Sequence, residues 1–362
     1  EDQPHAALPT VPGFSRIFVN ADARDLPACV NALSRLPGIP VESVSSQGGI
    51  PREHLNSGSL YITASRGNVV GKCPGSRGHI CCNYVTADVY LGCTIGCSYC
   101  IMRSYLNFSP ITVYADPRPA IRSLRELAEL NVERIVRAGT GEVGDSLFYD
   151  PLFELSSTFI EELADVPNLL LELKTKTDHV DHLPRLGKNG NIVIGFSLNP
   201  QEIIDSEEPC AASLERRLEA AGRAAERGYR IAFHFDPVIA EEGWEDRYLP
   251  VARSLSRFRG CRTAWISMGT IRFPAPLRDA LETRPYLCDE FIPCADGKFR
   301  YVQVRRIAVY RRLLAELRAA LDTPVYLCME SDEVWRRVFG STPRRMEKLR
   351  ELFTPVRISP AR

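Results

Sequence analysis

The sequence predicts an α/β fold built around a parallel sheet, and two observations carry this. From residue 85 onward, short apolar runs alternate with helix-like patterns, the signature of strands joined by helical crossovers. Hydrophobic residues make up 44% and charged residues 25% of the 362 residues, which excludes a mainly disordered chain. Such a length predicts two or three domains, or one barrel with additions, at roughly 100–200 residues per domain.

The chain opens with a small α/β unit. Arg16–Asn20 is a short apolar run, residues 25–36 have helical spacing with Asp25 as the expected N-cap, and residues 41–46 and 60–64 read as strands. Residues 65–79, rich in Gly, Lys and Arg, read as a loop. Six strands are then expected at 87–91, 134–138, 169–175, 192–198, 230–235 and 264–268, with helices at 118–130, 152–163, 214–227 and 244–258. Six strand–helix repeats make six-eighths of a (β/α)8 barrel, or a full barrel if later elements close it. Those later elements are a helical segment at 277–282, a long helix at 302–320, a strand at 325–328 and a helix near 333–338. The expected division is an N-terminal α/β extension over 1–80, a barrel over 81–275 and a helical, basic region over 276–362. No internal repeat or low-complexity segment is present.

Charge says little about partners. Lys plus Arg equals Asp plus Glu, 45 each, so bulk electrostatics gives no argument for a polyanion. Residues 300–362 carry 14 Arg or Lys against 7 Asp or Glu. That stretch is either a solvated helical face or a phosphate-contacting surface. No run approaches the roughly 20 apolar residues of a membrane span, and residues 1–10 lack the basic and apolar regions of a signal peptide. Twelve Cys without an export signal point to a reducing, cytoplasmic setting, where metal, cluster or catalytic thiols outnumber disulfides.

Six of those Cys fall between Cys73 and Cys100. Among them Cys93, Cys97 and Cys100 have Cys-x3-Cys-x2-Cys spacing within Leu91-Gly-Cys-Thr-Ile-Gly-Cys-Ser-Tyr-Cys-Ile101. Three thiolates on one tight loop hold three irons of a cubane 4Fe–4S cluster and leave the fourth iron open, whereas electron-transfer ferredoxins use four Cys. Zinc sites favour four protein ligands in paired Cys-x2-Cys arrangements. Gly92 and Gly96 let the loop wrap closely around an inorganic core.

This spacing resembles the radical S-adenosylmethionine (SAM) superfamily. The resemblance implies a partial (β/α)6 barrel, a 4Fe–4S cluster held by Cys93, Cys97 and Cys100, and S-adenosyl-L-methionine chelating the open iron. The reduced cluster then cleaves SAM to a 5′-deoxyadenosyl radical. Tyr99 stands where that superfamily carries an aromatic residue near the adenine. Further segments resemble spore photoproduct lyase and its relatives: Leu173-Lys174-Thr-Lys-Thr-Asp-His-Val-Asp-His182, Phe196-Ser-Leu-Asn199 with Glu208-Pro209, Leu214-Glu-Arg-Arg-Leu-Glu-Ala-Ala221, Glu242-Gly-Trp-Glu245 and Arg272-Phe273. Their order holds over roughly residues 84–273. The family reaction implied is repair of a thymine dimer in DNA, in which a protein Cys donates a hydrogen atom and SAM is regenerated. A low-potential donor such as flavodoxin or ferredoxin is the implied electron source.

The resemblance assigns SAM contacts to Tyr99, Lys174, Ser197 and Asn199. An ammonium such as Lys174 suits the SAM carboxylate or ribose, although a solvated strand-end Lys is the plain alternative. Ser197 and Asn199 share a strand face and either meet a ligand or bond to each other. Two positions depart from the family. Its hydrogen-donor Cys, three residues before an Asp matching Asp145, is Glu142 here, and its Tyr after the third cluster Cys is Ile101. Either the thiol has moved, to Cys73, Cys81, Cys82, Cys294 or Cys328, or the reaction needs none and Glu142 handles a proton. Gly139, Gly141 and Gly144 suggest a tight loop around Glu142.

His234, two residues from Asp236 on one strand face, is a further catalytic candidate, with an interior His–Asp pair as the alternative. Arg272, Arg300 and Tyr301 are candidates for holding a phosphate or base. Asp178, His179, Asp181 and His182 lack convincing metal spacing. The expectation is thus a lyase-like radical enzyme using Glu142, Tyr99 and His234 on a nucleic-acid or nucleotide-like substrate. The alternatives are a SAM-consuming tailoring enzyme for a nucleoside or nucleotide-sugar, and a non-catalytic iron–sulfur protein that binds nucleic acid.

Overall fold

The computed structural model describes residues 13–357 apart from 65–69, 77, 109, 188–189, 282 and 289. Residues 1–10, part of the expected 65–79 loop, the end of the 277–282 segment and the last five residues of the basic stretch lie outside the described residues.

The described residues open with β1 (Arg16–Asn20), a helix Pro27–Arg35, β2 (Val41–Val44) and β3 (Ser59–Thr63). The helix starts at Pro27, with Leu26 rather than Asp25 as its N-cap, because a Pro at the first helical position brings a preset φ and lacks only an N–H that would go unpaired. Next come β4 (Val70–Lys72), β5 (Val85–Ala87), β6 (Tyr90–Leu91) and β7 (Ile111–Tyr114). The expected strand at 87–91 is divided: β5 enters the main sheet, whereas β6 pairs with β7 in the N-terminal sheet, ordered β2-β1-β3-β7-β6. That sheet therefore takes two of its five strands from beyond residue 80.

The main sheet adds β8 (Val136–Gly139), β9 (Leu169–Thr175), β10 (Ile192–Ser197), β11 (Arg230–Val238) and β12 (Thr263–Thr270). A third, antiparallel sheet combines β13 (Arg272–Pro274), β14 (Phe291–Pro293) and β15 (Lys298–Tyr301), and β16 (Val325–Leu327) returns to the main sheet. The main sheet has eight strands in the order β16-β12-β11-β10-β9-β8-β5-β4, and among its neighbours β4 alone runs antiparallel. Five of the six expected barrel strands thus lie side by side in a curled half-barrel, with β5, just before the expected 87–91 strand, beside them. Both faces of such a sheet are covered, so its strands read as continuous apolar runs; every residue of β10 is buried.

Helices cover the outside. Arg118–Leu130 buries Ile121, Leu124, Leu127 and Ala128 at helical spacing. Leu214–Glu226 is capped by Ser213, whose side chain accepts from the Arg216 N–H. The expected helix at 152–163 breaks at Glu154, which adopts φ +58° between Asp150–Phe153 and Leu155–Leu163. Arg35 and Asn31 hold the Glu154 carboxylate there, a long-range anchor invisible in helical periodicity. At the rim, Ile80 bridges to Glu330, and Arg137 reaches across to donate to the Tyr326 hydroxyl at 2.9 Å while stacking 4.0 Å over the Trp265 ring. No helix among the described residues is long and apolar enough to cross a membrane.

Candidate functional site

A cavity of about 680 Å³ opens at the C-terminal ends of the parallel strands, where barrel enzymes place their chemistry. The loop that follows β6 carries Cys93, Cys97 and Cys100, and all three line it. Gly92 and Gly96 take φ +85° and +78°, so the loop turns back on itself twice as only residues without a Cβ do readily. None of the three thiols is in a disulfide. Burial pushes the Cys97 thiol up to about 12, and it raises Cys93 well above its ordinary value, with the neighbouring Asp145 and cysteine charges adding to the effect. Three free thiols carried by one loop and facing one cavity are the donor type that an iron–sulfur core takes.

The loop after β8 docks on this turn. Gly92 N–H donates to the Val143 carbonyl at 3.0 Å, which brings Glu142 to the cavity wall. Asp145 anchors the loop from behind: its carboxylate accepts from Leu147, Phe148 and Lys176 N–H and from the Thr175 hydroxyl, at 2.7–3.0 Å. Lys174 and Lys176, alternate residues at the end of β9, both line the cavity. Burial opposes the charge on Lys174, but the carboxylates of Asp236, Glu142 and Glu172 outweigh it and raise its pKa.

Tyr99 also lines the cavity while its hydroxyl points into a buried network. It donates to Glu208, whose carboxylate also accepts from Arg217, from Lys176 at 3.0 Å and from Asn199 at 2.8 Å. Although burial disfavours the Glu208 anion, Lys176 and Arg217 outweigh it and hold its pKa down at about 2. Ser197 reaches the cavity, but Asn199 sits behind Tyr99, bonded to Glu208, Tyr99 and Tyr248.

The structure does not bring His234 to the cavity. It is buried below the floor, 2.7 Å from Glu172 and 2.6 Å from Ser267, and burial lowers its pKa. Alternation along β11 puts His234 and Asp236 on one face, yet Asp236 alone is high enough to line the cavity. It pairs there with Arg272 at 2.8 Å. Arg300 is buried against Asp296 and is not among the lining residues, and neither is Tyr301, whose hydroxyl accepts from Ala240 N–H. His182 pairs with Asp150, and His179 bonds the Leu147 carbonyl. Much of the basic C-terminal stretch is ion-paired within the chain: Arg306 with Glu330, Arg312 with Glu245 and Glu316, Arg336 with Asp332, and Arg337 with Glu333.

Residues 81–264 match the family model "Spore photoproduct lyase". The chain belongs to the spore photoproduct lyase family. Spore photoproduct lyase of Geobacillus sp. (strain Y412MC61) is 28% identical over 197 residues, 53% of this chain and 58% of that protein. The Bacillus subtilis (strain 168) lyase is 28% identical over 158 residues, 43% and 46% of the two chains. The match thus spans about half the length of these curated relatives. In fold the likeness runs further. A spore photoproduct lyase double mutant with bound AdoMet and dinucleoside spore photoproduct superposes with TM-score 0.75 at 20% identity, covering 88% of this chain and 99% of that one. A lyase complexed with dinucleoside spore photoproduct gives 0.74 at 21% identity, with the same coverage.

Three residues of this family member's site escape a reading of the sequence alone. Lys176 was within reach, since it alternates with Lys174 on one strand face. Glu208, just past the helix Gln201–Glu207, and Arg217, in the helix Leu214–Glu226, were not, because they reach Tyr99 only through long-range hydrogen bonds.

Proposed function

We propose that the protein is a radical SAM enzyme that splits a thymine photoproduct in DNA. One observation carries this reading: three cluster-type thiols, a half-buried ammonium and a carboxylate converge on one cavity at the strand ends. Cys93, Cys97 and Cys100 would hold a 4Fe–4S cluster, leaving its fourth iron for SAM. When bound, this pair would supply a 5′-deoxyadenosyl radical able to remove a hydrogen atom from C6 of the saturated thymine ring, beside the carbon that bears the methylene bridge, so that breaking the bridge restores the C5=C6 double bond. The joining C–C bond then breaks, and the second thymine is left with a methylene radical that needs one hydrogen atom to become a methyl group.

The chain's own residues prepare that event. Lys174 offers an ammonium to a carboxylate or ribose oxygen, and Ser197 a hydroxyl beside it. Tyr99, fixed through Glu208, Lys176 and Asn199, presents a ring that cannot swing into the reacting volume. Asn199 and His234 support the site from behind and below. Arg272, held by Asp236 at the rim, is placed for a phosphate. The described cysteines are all free, which fits a reducing cytoplasm and a one-electron donor of the flavodoxin or ferredoxin class.

The test is anaerobic incubation with SAM, dithionite and dinucleoside spore photoproduct. Formation of free thymidylyl-thymidine supports the reading. SAM cleavage with the photoproduct untouched contradicts it and favours the tailoring of another nucleoside or nucleotide-sugar, a reading that Glu142 in the donor's place would suit.

A further inference from the structure

The proposed reaction leaves a carbon radical that must be quenched by a weak X–H bond within the cavity. A carboxylate such as Glu142 and an alkyl side chain such as Ile101 have none to offer. The lining groups that do are few. Cys93, Cys97 and Cys100 are committed to the cluster in this reading, and the Tyr99 O–H is given to the Glu208 carboxylate. Two thiols remain on the wall, Cys73 and Cys328. Cys294 instead lies on the third sheet with its thiol on the Ile292 carbonyl, and Cys81 and Cys82 do not line the cavity.

We propose that Cys73 is the hydrogen-atom donor of this enzyme and that Glu142 positions it. This rests on the photoproduct reading above. Cys73 follows β4, with its N–H on the Tyr84 carbonyl at 2.9 Å, and its Sγ lies 3.7 Å from Glu142 Oε1. Glu142 adjoins Val143, which accepts from Gly92 of the cluster loop. A short covalent and hydrogen-bonded path therefore connects the Cys73 sulfur to the cluster turn. The Cys328 sulfur sits instead against the Arg272–Asp236 ion pair, 3.8 Å from Arg272 Nη2. Burial, reinforced by the Glu142 charge, pushes the Cys73 thiol up to about 12, so at neutral pH it is S–H, the form that can give up a hydrogen atom.

The step balances simply. The S–H bond of Cys73 breaks homolytically, a C–H bond forms at the thymine methylene, and a thiyl radical remains. One electron from the low-potential donor and one proton from water restore the thiol.

Because a thiol proton exchanges with water, turnover in D2O should place one deuterium in the new thymine methyl group. Cys73→Ala should lose at least tenfold in thymidylyl-thymidine formation and lose that label, whereas Cys294→Ala should match the unmodified enzyme. In the double variant Cys73→Ala/Glu142→Cys a thiol returns to the same wall, and both rate and label should recover. A cluster-free readout is N-ethylmaleimide labelling followed by peptide mass spectrometry, in which dinucleoside spore photoproduct should slow modification of Cys73 but not of Cys294. Full repair with full label in Cys73→Ala, or photoproduct protection of Cys328 without Cys73, overturns the assignment. An unmodified enzyme that leaves the photoproduct intact overturns the functional reading itself, an outcome distinct from either of these.

Discussion

Glu172 and Glu208 show how single residues hold this site together. Both are buried carboxylates. Burial disfavours their anions, yet His234, Arg137 and Lys174 around Glu172, and Lys176 and Arg217 around Glu208, hold each pKa down at about 2. A carboxyl whose folded pKa lies below its unfolded value stabilises the fold above the unfolded value, about 4.5 here, and loses that contribution as pH falls toward 2. The urea midpoint should therefore drop steeply between pH 5 and pH 3, and Glu208→Gln should flatten part of the drop while lowering the midpoint at pH 7. A midpoint constant over that range would refute these ion pairs. At this scale the sequence was most legible where covalent spacing alone sets geometry: Cys93, Cys97 and Cys100 share one loop, and Lys174 sits at one strand end. His234 was misplaced because alternation gives the face of a strand but not the height along the barrel at which a side chain sits.

The elements succeed or fail for a related reason. Strand positions were readable from apolar runs, since both faces of β9, β10 and β11 are covered. The division of 87–91 between two sheets was not, because it depends on β7 arriving from twenty residues later to pair with Tyr90 and Leu91. The helix break at Glu154 likewise depends on Arg35. The contact between the Glu142 loop and the cluster loop is a tight one. A Cβ on Gly144 would lie 2.8 Å from the Tyr90 carbonyl oxygen and 3.2 Å from that of Gly92, and backbone cannot step aside as a flexible side chain does. Gly144→Ala should cost about 1–3 kcal/mol, the usual range for overpacking, and should reduce iron retained after reconstitution. Gly222→Ala, whose added Cβ meets nothing within 4 Å on a helix, should be neutral or slightly stabilising. Equal melting temperatures and iron contents for the two variants would count against the docked-loop geometry.

At the scale of the whole molecule, a curled eight-stranded sheet gathers side chains from distant segments into one cavity: thiols from the loop after β6, Glu142 from the loop after β8, ammoniums from the end of β9 and an ion pair from β11 and β13. The rim contact between Ile80 and Glu330 brings the segments carrying Cys73 and Cys328 to the same wall. That closure joins residues some 250 positions apart, and no local pattern announces it. The architecture has one chemical premise, that the three thiolates bind a cluster with an open iron. The most direct measurement is electron paramagnetic resonance of the anaerobically reconstituted, dithionite-reduced protein before and after SAM is added. A reduced 4Fe–4S signal that changes shape on adding SAM and disappears in a Cys93→Ala/Cys97→Ala/Cys100→Ala variant is the expected result. Zinc in place of iron, or a cluster signal indifferent to SAM, would contradict it.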